Sequence, residues 1–195
     1  MAEFDRAATG GRVAAAAVRV RRAFVEERFG AAAVERYLGA VSPQLRSLLG
    51  GAVDPDAWVD FRWFVEANVQ LDTLFGDGDL ALVRDAGHFA ALHNAGVWRS
   101  MFEKGVDPPK FVEIAGGLWH KHYDSGALVR TVVAPEVVHM EIRSMPRPHR
   151  AHCLSVVGWI EGVFELRPGA TIIVDELSCR ASGGATCELR LGWAS

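Results

Sequence analysis

The feature that most narrows the fold is a change of sequence period near residue 126. Downstream of it, "GALVRTVVAP" and "EVVHMEIRSM" are rich in β-branched residues and meet at Pro135, the pattern of a hairpin. "AHCLSVVGWIEGVFEL" then returns to helical spacing and is ended by "RPG". "ATIIVDEL" and "CELRLGW" read as two more strands. Upstream, the spacing is helical. The order is several helices and then β-β-α-β-β. It predicts an α+β fold, with a helical N-terminal half followed by a four-stranded antiparallel sheet packed by helices.

The helical half carries its own start and stop signals. "RVAAAAVRVRRAFVEERFG" is expected to be a helix stopped by Gly30, with a short helix following in "AAAVERYLGA". Ser42-Pro43 reads as N-cap and first helical position, and Asp54-Pro55 is expected to open "DAWVDFRWFVEANVQLDTLF" in the same way. "GDGD" is a tight turn whose Asp79 caps one long helix, "LALVRDAGHFAALHNAGVWRSMFEK". It lacks the later ligands of a calcium loop. A further helix runs through "PPKFVEIAGGLWHKHY", and residues 1–10 read as a loose tail.

Composition excludes several classes of function. The chain has 195 residues, half of them apolar, enough for a sizeable core. A net charge of −3 with no basic stripe argues against a direct nucleic-acid partner. No apolar run reaches the ~18 residues of a membrane span. The start has early acids and an alanine run broken by arginines, which makes a poor signal peptide, so a cytoplasmic location is expected. Three cysteines there are read as thiols rather than disulfides. No nucleophile elbow, phosphate loop, dinucleotide fingerprint or H-E-x-x-H occurs, and the chain is not expected to be an enzyme.

The cysteines have definite settings. In the helix 151–166, Cys153, Val156, Val157, Ile160, Val163 and Phe164 share one stripe, so Cys153 faces the core. In "ATIIVDEL", Glu176 shares a strand face with Ile172 and Val174 and needs a counter-charge if buried. Cys179 and Cys187 end a loop that Gly183 and Gly184 let fold back. Cys153, Glu176, Cys179 and Cys187 together make a tetrahedral zinc set. Three small buried thiols, or a Cys179–Cys187 disulfide, are the competing readings.

The stretch "CLSVVGWIEGVFELRPGATIIVDELSCRASGGATCEL" resembles the 4-vinyl-reductase domain family. The resemblance rests on Cys153 opening a helix that contains Gly158-Trp159, and on a strand entry from Gly169 to Glu176. It is closed by E-x2-C-x3-4-G-x2-3-C, matched by Glu176, Cys179, Gly183 or Gly184, and Cys187. It is specific over about residues 150–193 and extends back towards residue 80. The wider superfamily includes sensor domains of phenol- and xylene-responsive activators, haem-based nitric-oxide sensors and Golgi-tethering subunits. The resemblance implies an α+β fold with an enclosed apolar cavity, and a structural Zn2+ held by Cys153, Glu176, Cys179 and Cys187. It divides the chain into residues 1–79, a helical segment suited to dimerisation, and residues 80–195, the ligand-binding domain.

Aromatic residues supply pocket material. Trp98, Phe102, Phe111 and Trp119 lie in helices and joints that would wrap the sheet, as do Tyr123, Trp159 and Phe164. Ordinary core packing is the other reading of each. Polar anchors are available in His139, and in His120 or His122 of "WHKHY". A haem would need an axial histidine in a helical cleft; His88 and His93 are placed for it, but nothing marks them. The expected function is a sensor that holds a small apolar or aromatic molecule and signals through a homodimer or a regulatory protein partner. The alternatives are a scaffold with no exchangeable ligand, or a tetrapyrrole-pathway accessory.

Overall fold

The structure is a computed structural model that describes residues 11–93, 95–134, 136–167 and 171–194. The loose tail expected at 1–10, the hairpin proline Pro135 and the strand entry at Gly169 lie outside the described residues. Strand β1 (Arg12–Ala14) leads into helices α1 (Ala15–Phe29), α2 (Ala31–Ala40) and α3 (Pro43–Leu49). Then come β2 (Trp58–Asp60), α4 (Phe61–Phe75), α5 (Ala81–His93), α6 (Ala95–Glu103) and α7 (Pro108–Leu118). A 3-10 turn at Trp119–Lys121 precedes β3 (Ala127–Ala134), β4 (Val137–Arg143), α8 (Arg150–Glu165), β5 (Thr171–Ser178) and β6 (Glu188–Ala194). The fold is α+β, with an antiparallel sheet, as the change of period implies.

Several expected signals act as expected. Gly30 ends α1 with φ 83, a left-handed value that favours glycine. The Ser42 hydroxyl accepts from Leu45 N, and Pro43 occupies the first turn of α3. The Asp79 carboxylate accepts from Ala81 N at 2.9 Å at the start of α5.

One boundary differs from the sequence reading. Asp54-Pro55 does not open a helix. Residues 54–57 form a turn, Trp58–Asp60 pairs with β1, and α4 begins at Phe61 with Asp60 accepting from Arg62 N at 2.8 Å. Pairing captures that backbone because Val59 and Val13, opposite each other in the ribbon, are both buried. The helix expected after "GDGD" is helical over Ala81–His93 (α5) and Ala95–Glu103 (α6), and position 94 lies outside the described residues.

The sheet order is β3-β4-β6-β5, every pair antiparallel. In register, Val138 and Val174 lie opposite Leu191, and Met140 opposite Leu189, all buried on one face. Helix α8 packs on β5 and α7 on β3. A continuous apolar core runs from Val13 in β1 to Leu191 in β6.

The tightest contact joins α5 to α8. Gly87 lies against the Ser155 backbone, Gly158 against Arg84, and Gly162 against His88 and Ala91. A Cβ on Gly158 would stand 1.9 Å from the Arg84 carbonyl oxygen, and one on Gly87 2.2 Å from that of Ser155. Only glycine lets two helix backbones meet so closely.

Candidate functional site

A cavity of about 160 Å³ lies between the helical half and α8. One side is α1, through Ala17, Val20 and Arg21. Helices α5 and α8 supply Gly87, Ala90, Ser155, Val156 and Trp159. Trp98 of α6, Leu118 of α7, Trp119 and Tyr123 close much of the remainder. Ala16 and His122 border it and are exposed, which marks the side on which it opens.

The polar group in this wall is a buried arginine. Arg21 lies on the stripe of α1 that carries Val18, Phe24 and Val25 and is 2% exposed. Its Nε donates to Asn68 Oδ1 at 3.0 Å and its Nη1 to the Ala17 carbonyl at 3.1 Å; its Nη2 donates to the Ser155 hydroxyl. Asn68 in turn donates to the Phe64 carbonyl at 2.8 Å, so both ends of its amide are used. The guanidinium also sits over the Phe64 ring, 4.8 Å from its centroid. No carboxylate pairs with Arg21 among the described residues. Burial lowers its pKa to about 10, partly offset by Tyr123 and Tyr37.

Beside it sits a neutral histidine. His152, 1% exposed, is ringed by Phe61, Phe64, Trp119 and Tyr123 at centroid distances of 5.0–5.9 Å. Burial lowers its pKa to about 3, with Arg21 and His149 adding to the effect. Burial also pushes the Tyr123 phenol up to about 12, so it stays protonated.

Of the residues expected to form a pocket, Trp98, Trp119, Tyr123 and Trp159 line the cavity. Phe102, Phe111 and Phe164 instead pack together behind Trp98, with ring centroids 4.9–5.9 Å apart. His139 lies in β4 and contacts the Glu188 carboxylate at 3.0 Å. Arg21, Ser155 and His152 were not singled out from the sequence. An arginine three residues after Val18 and four before Val25, on the apolar stripe of an alanine-rich helix, was the available signal.

The three cysteines do come together. The sulfurs of Cys153, Cys179 and Cys187 lie within 4.8 Å of one another, and all three residues are buried. Burial and the neighbouring cysteines push the Cys153 thiol far above the ordinary range. Glu176 does not join them through a free carboxylate: Arg150, three residues before Cys153, holds it in an ion pair.

The complete arrangement has known counterparts: it is the fold of H-NOX domains. An H-NOX protein from S. oneidensis in the Fe(II)NO ligation state superposes with a TM-score of 0.71 at 12% identity, over 93% of this chain and 99% of that one. An oxygen-binding H-NOX domain related to soluble guanylate cyclases gives 0.67 at 14% identity, over 93% and 95%. A structure from a study of heme distortion in the H-NOX family gives 0.69 at 14%, over the same shares. No family model matches the sequence, and no curated protein does.

Two expectations are corrected by these findings. The chain is not placed in the 4-vinyl-reductase family, because its structural neighbours are H-NOX domains. The structural Zn2+ inferred from that resemblance falls with it. The neighbours are described with heme and iron rather than zinc, and the expected fourth ligand, Glu176, is already neutralised by Arg150. Clustered buried thiols are the small hydrophobes that free cysteines commonly are.

Heme does not fit this chain's site. A cavity of about 160 Å³ lies below the ~300–1,000 Å³ of pockets for drug-sized ligands, and a porphyrin is larger than most of those. Heme iron needs an axial side chain. His88 is held by Glu165 at 2.5 Å, His93 packs against Phe89 with the rings tilted, and His152 is sealed among aromatic rings. His122 borders the cavity from its exposed rim, and Tyr123 is a protonated phenol.

Proposed function

We propose that the protein is a small-molecule-sensing domain that uses the H-NOX fold without heme. The observation that carries this reading is an apolar cavity walled by three indoles that also contains a buried arginine with no acid partner among the described residues. A core that only packed itself would have no use for that charge, because burying a cation is costly without compensation. The domain performs no catalysis in this reading. It binds, and its signal leaves through a protein partner or a second copy.

The signal has a mechanical route. Helices α5 and α8 touch backbone to backbone and cannot part or approach without breaking that contact. A guest is therefore accommodated by movement of α1 or of the α6–α7 side. Such a movement shifts the population only if the guest binds the two arrangements with different affinity.

Native mass spectrometry of gently purified full-length protein, repeated after denaturation, tests the reading. A small organic mass excess that disappears on denaturation is the expected result. Bound heme with a Soret band would overturn the exclusion of heme. A protein that purifies empty and shows no thermal shift with any small probe would overturn the sensor reading itself.

A further inference from the structure

We infer that the cavity is a site for a small organic monoanion: a carboxylate on a flat apolar body no larger than about a benzene ring. This rests on the sensor reading above and names its ligand class.

Three observations converge on it. The first is Arg21. A guanidinium has five N–H donors. Three protein acceptors are met, Asn68 Oδ1, the Ala17 carbonyl and the Ser155 hydroxyl, and all three are uncharged. The cation is thus buried at the cavity wall with donors to spare and no counter-ion among the described residues. A carboxylate is the group that matches a guanidinium fork in both geometry and charge.

The second is Trp98. It lies on the same wall, 8% exposed, and its indole N–H has no acceptor among the described residues. The spare Arg21 N–H groups and the Trp98 indole N–H of this wall are donors. A guest that supplies only apolar surface would leave them unmet. A neutral alcohol would supply an acceptor but no charge.

The third is size and shape. About 150 Å³ suffices for a benzene molecule in an apolar cavity, and this one measures about 160 Å³. Trp98, Trp119 and Trp159 give it flat aromatic walls, which suits a planar body. Ala16 and His122 border the opening.

The test is isothermal titration calorimetry on the full chain, with benzoate as the anionic probe and toluene as its neutral counterpart. Wild type is expected to bind benzoate more tightly than toluene. Arg21→Gln is expected to weaken benzoate at least ~30-fold while leaving toluene within about twofold, since only the charge pair is lost. Trp98→Phe keeps the ring, removes the donor and is expected to weaken benzoate selectively by a few-fold. It also serves if Arg21→Gln fails to fold. Toluene bound in preference to benzoate, or benzoate affinity unchanged in either folded variant, would overturn the anion assignment and leave the sensor reading intact. Binding of neither probe would overturn the anion assignment, and the sensor reading falls with it only if the protein also purifies empty and shows no thermal shift with any small probe.

Discussion

Replacing Gly158 by alanine tests the reading of the α5–α8 contact as a rigid wall. The added Cβ would lie 1.9 Å from the Arg84 carbonyl oxygen, 2.8 Å from its carbon and 3.0 Å from His88 N. Ordinary contact begins at 3.4 Å, so the helices must separate by about 1.5 Å. The obstacle is main chain inside α5, which has no rotamer to escape into. A radial gap of even 0.5–1 Å forfeits roughly a quarter to a half of the dispersion energy across an interface. The contacts at Gly87 and Gly162 would open together with that at Gly158. The expected cost is at the upper end of overpacking, ~3 kcal/mol. Equilibrium urea unfolding reads it: at a slope of ~2 kcal/mol/M the midpoint falls by ~1.5 M. Gly39→Ala is the control, since Gly39 lies in α2 with nothing within 4 Å of its Cβ position and no left-handed φ. It is expected to gain ~0.5–1 kcal/mol. A loss below ~0.5 kcal/mol for Gly158→Ala would refute the locked-helix account and the route of signalling built on it.

Other perturbations have definite expected outcomes. His152 has a folded pKa of about 3 against an ordinary 6.5, so the unfolded chain takes the proton first. Its contribution is complete above pH 6.5 and is lost as pH falls towards 3, at ~1.4 kcal/mol per unit, or ~2 kcal/mol between pH 7 and 5. Urea midpoints at the two pH values should show this loss in wild type and not in His152→Leu. Tyr37→Phe removes the hydroxyl that donates to the Ala67 carbonyl at 2.8 Å and should cost ~1 kcal/mol by the same assay. Cys153, Cys179 and Cys187 are at most 6% exposed. A disulfide thiol reagent should titrate them promptly only in denaturant, and prompt reaction of the native protein would contradict their burial.

How much was legible depended on the length of the pattern. The stripe from Cys153 to Phe164 and the alternation in β3–β6 persist over seven or more residues, and those elements stand close to where the sequence puts them. Strands β1 and β2 have three residues each, too few to express a period of two. Their pairing is decided by residues 46 positions apart, Val13 and Val59. Arg21 was hidden by its company: among Arg19, Arg22 and Arg28 it reads as one more solvated charge. The motif around the cysteines was read as a family signature over some 40 residues. What decided the state of Glu176 was Arg150, 26 positions upstream, which the motif does not include.

The pairing of β1 has a consequence for the order in which the protein is made. Arg12 bonds to Asp124, through its Nε at 2.8 Å and its main-chain N–H at 2.7 Å, across 112 positions. Val13 also bridges to Tyr123. None of these bonds exists until Asp124 has left the ribosome. At ~5–20 residues per second the bonds from β1 to Tyr123 and Asp124 therefore form no sooner than roughly 6–22 s after Arg12 is made. During that interval Arg21 also lacks Ser155 of α8, to which its Nη2 donates. Strand β1 is thus made before the segments that complete its bonding, and the nascent helical half is the stage at which a chaperone would find exposed apolar surface to hold.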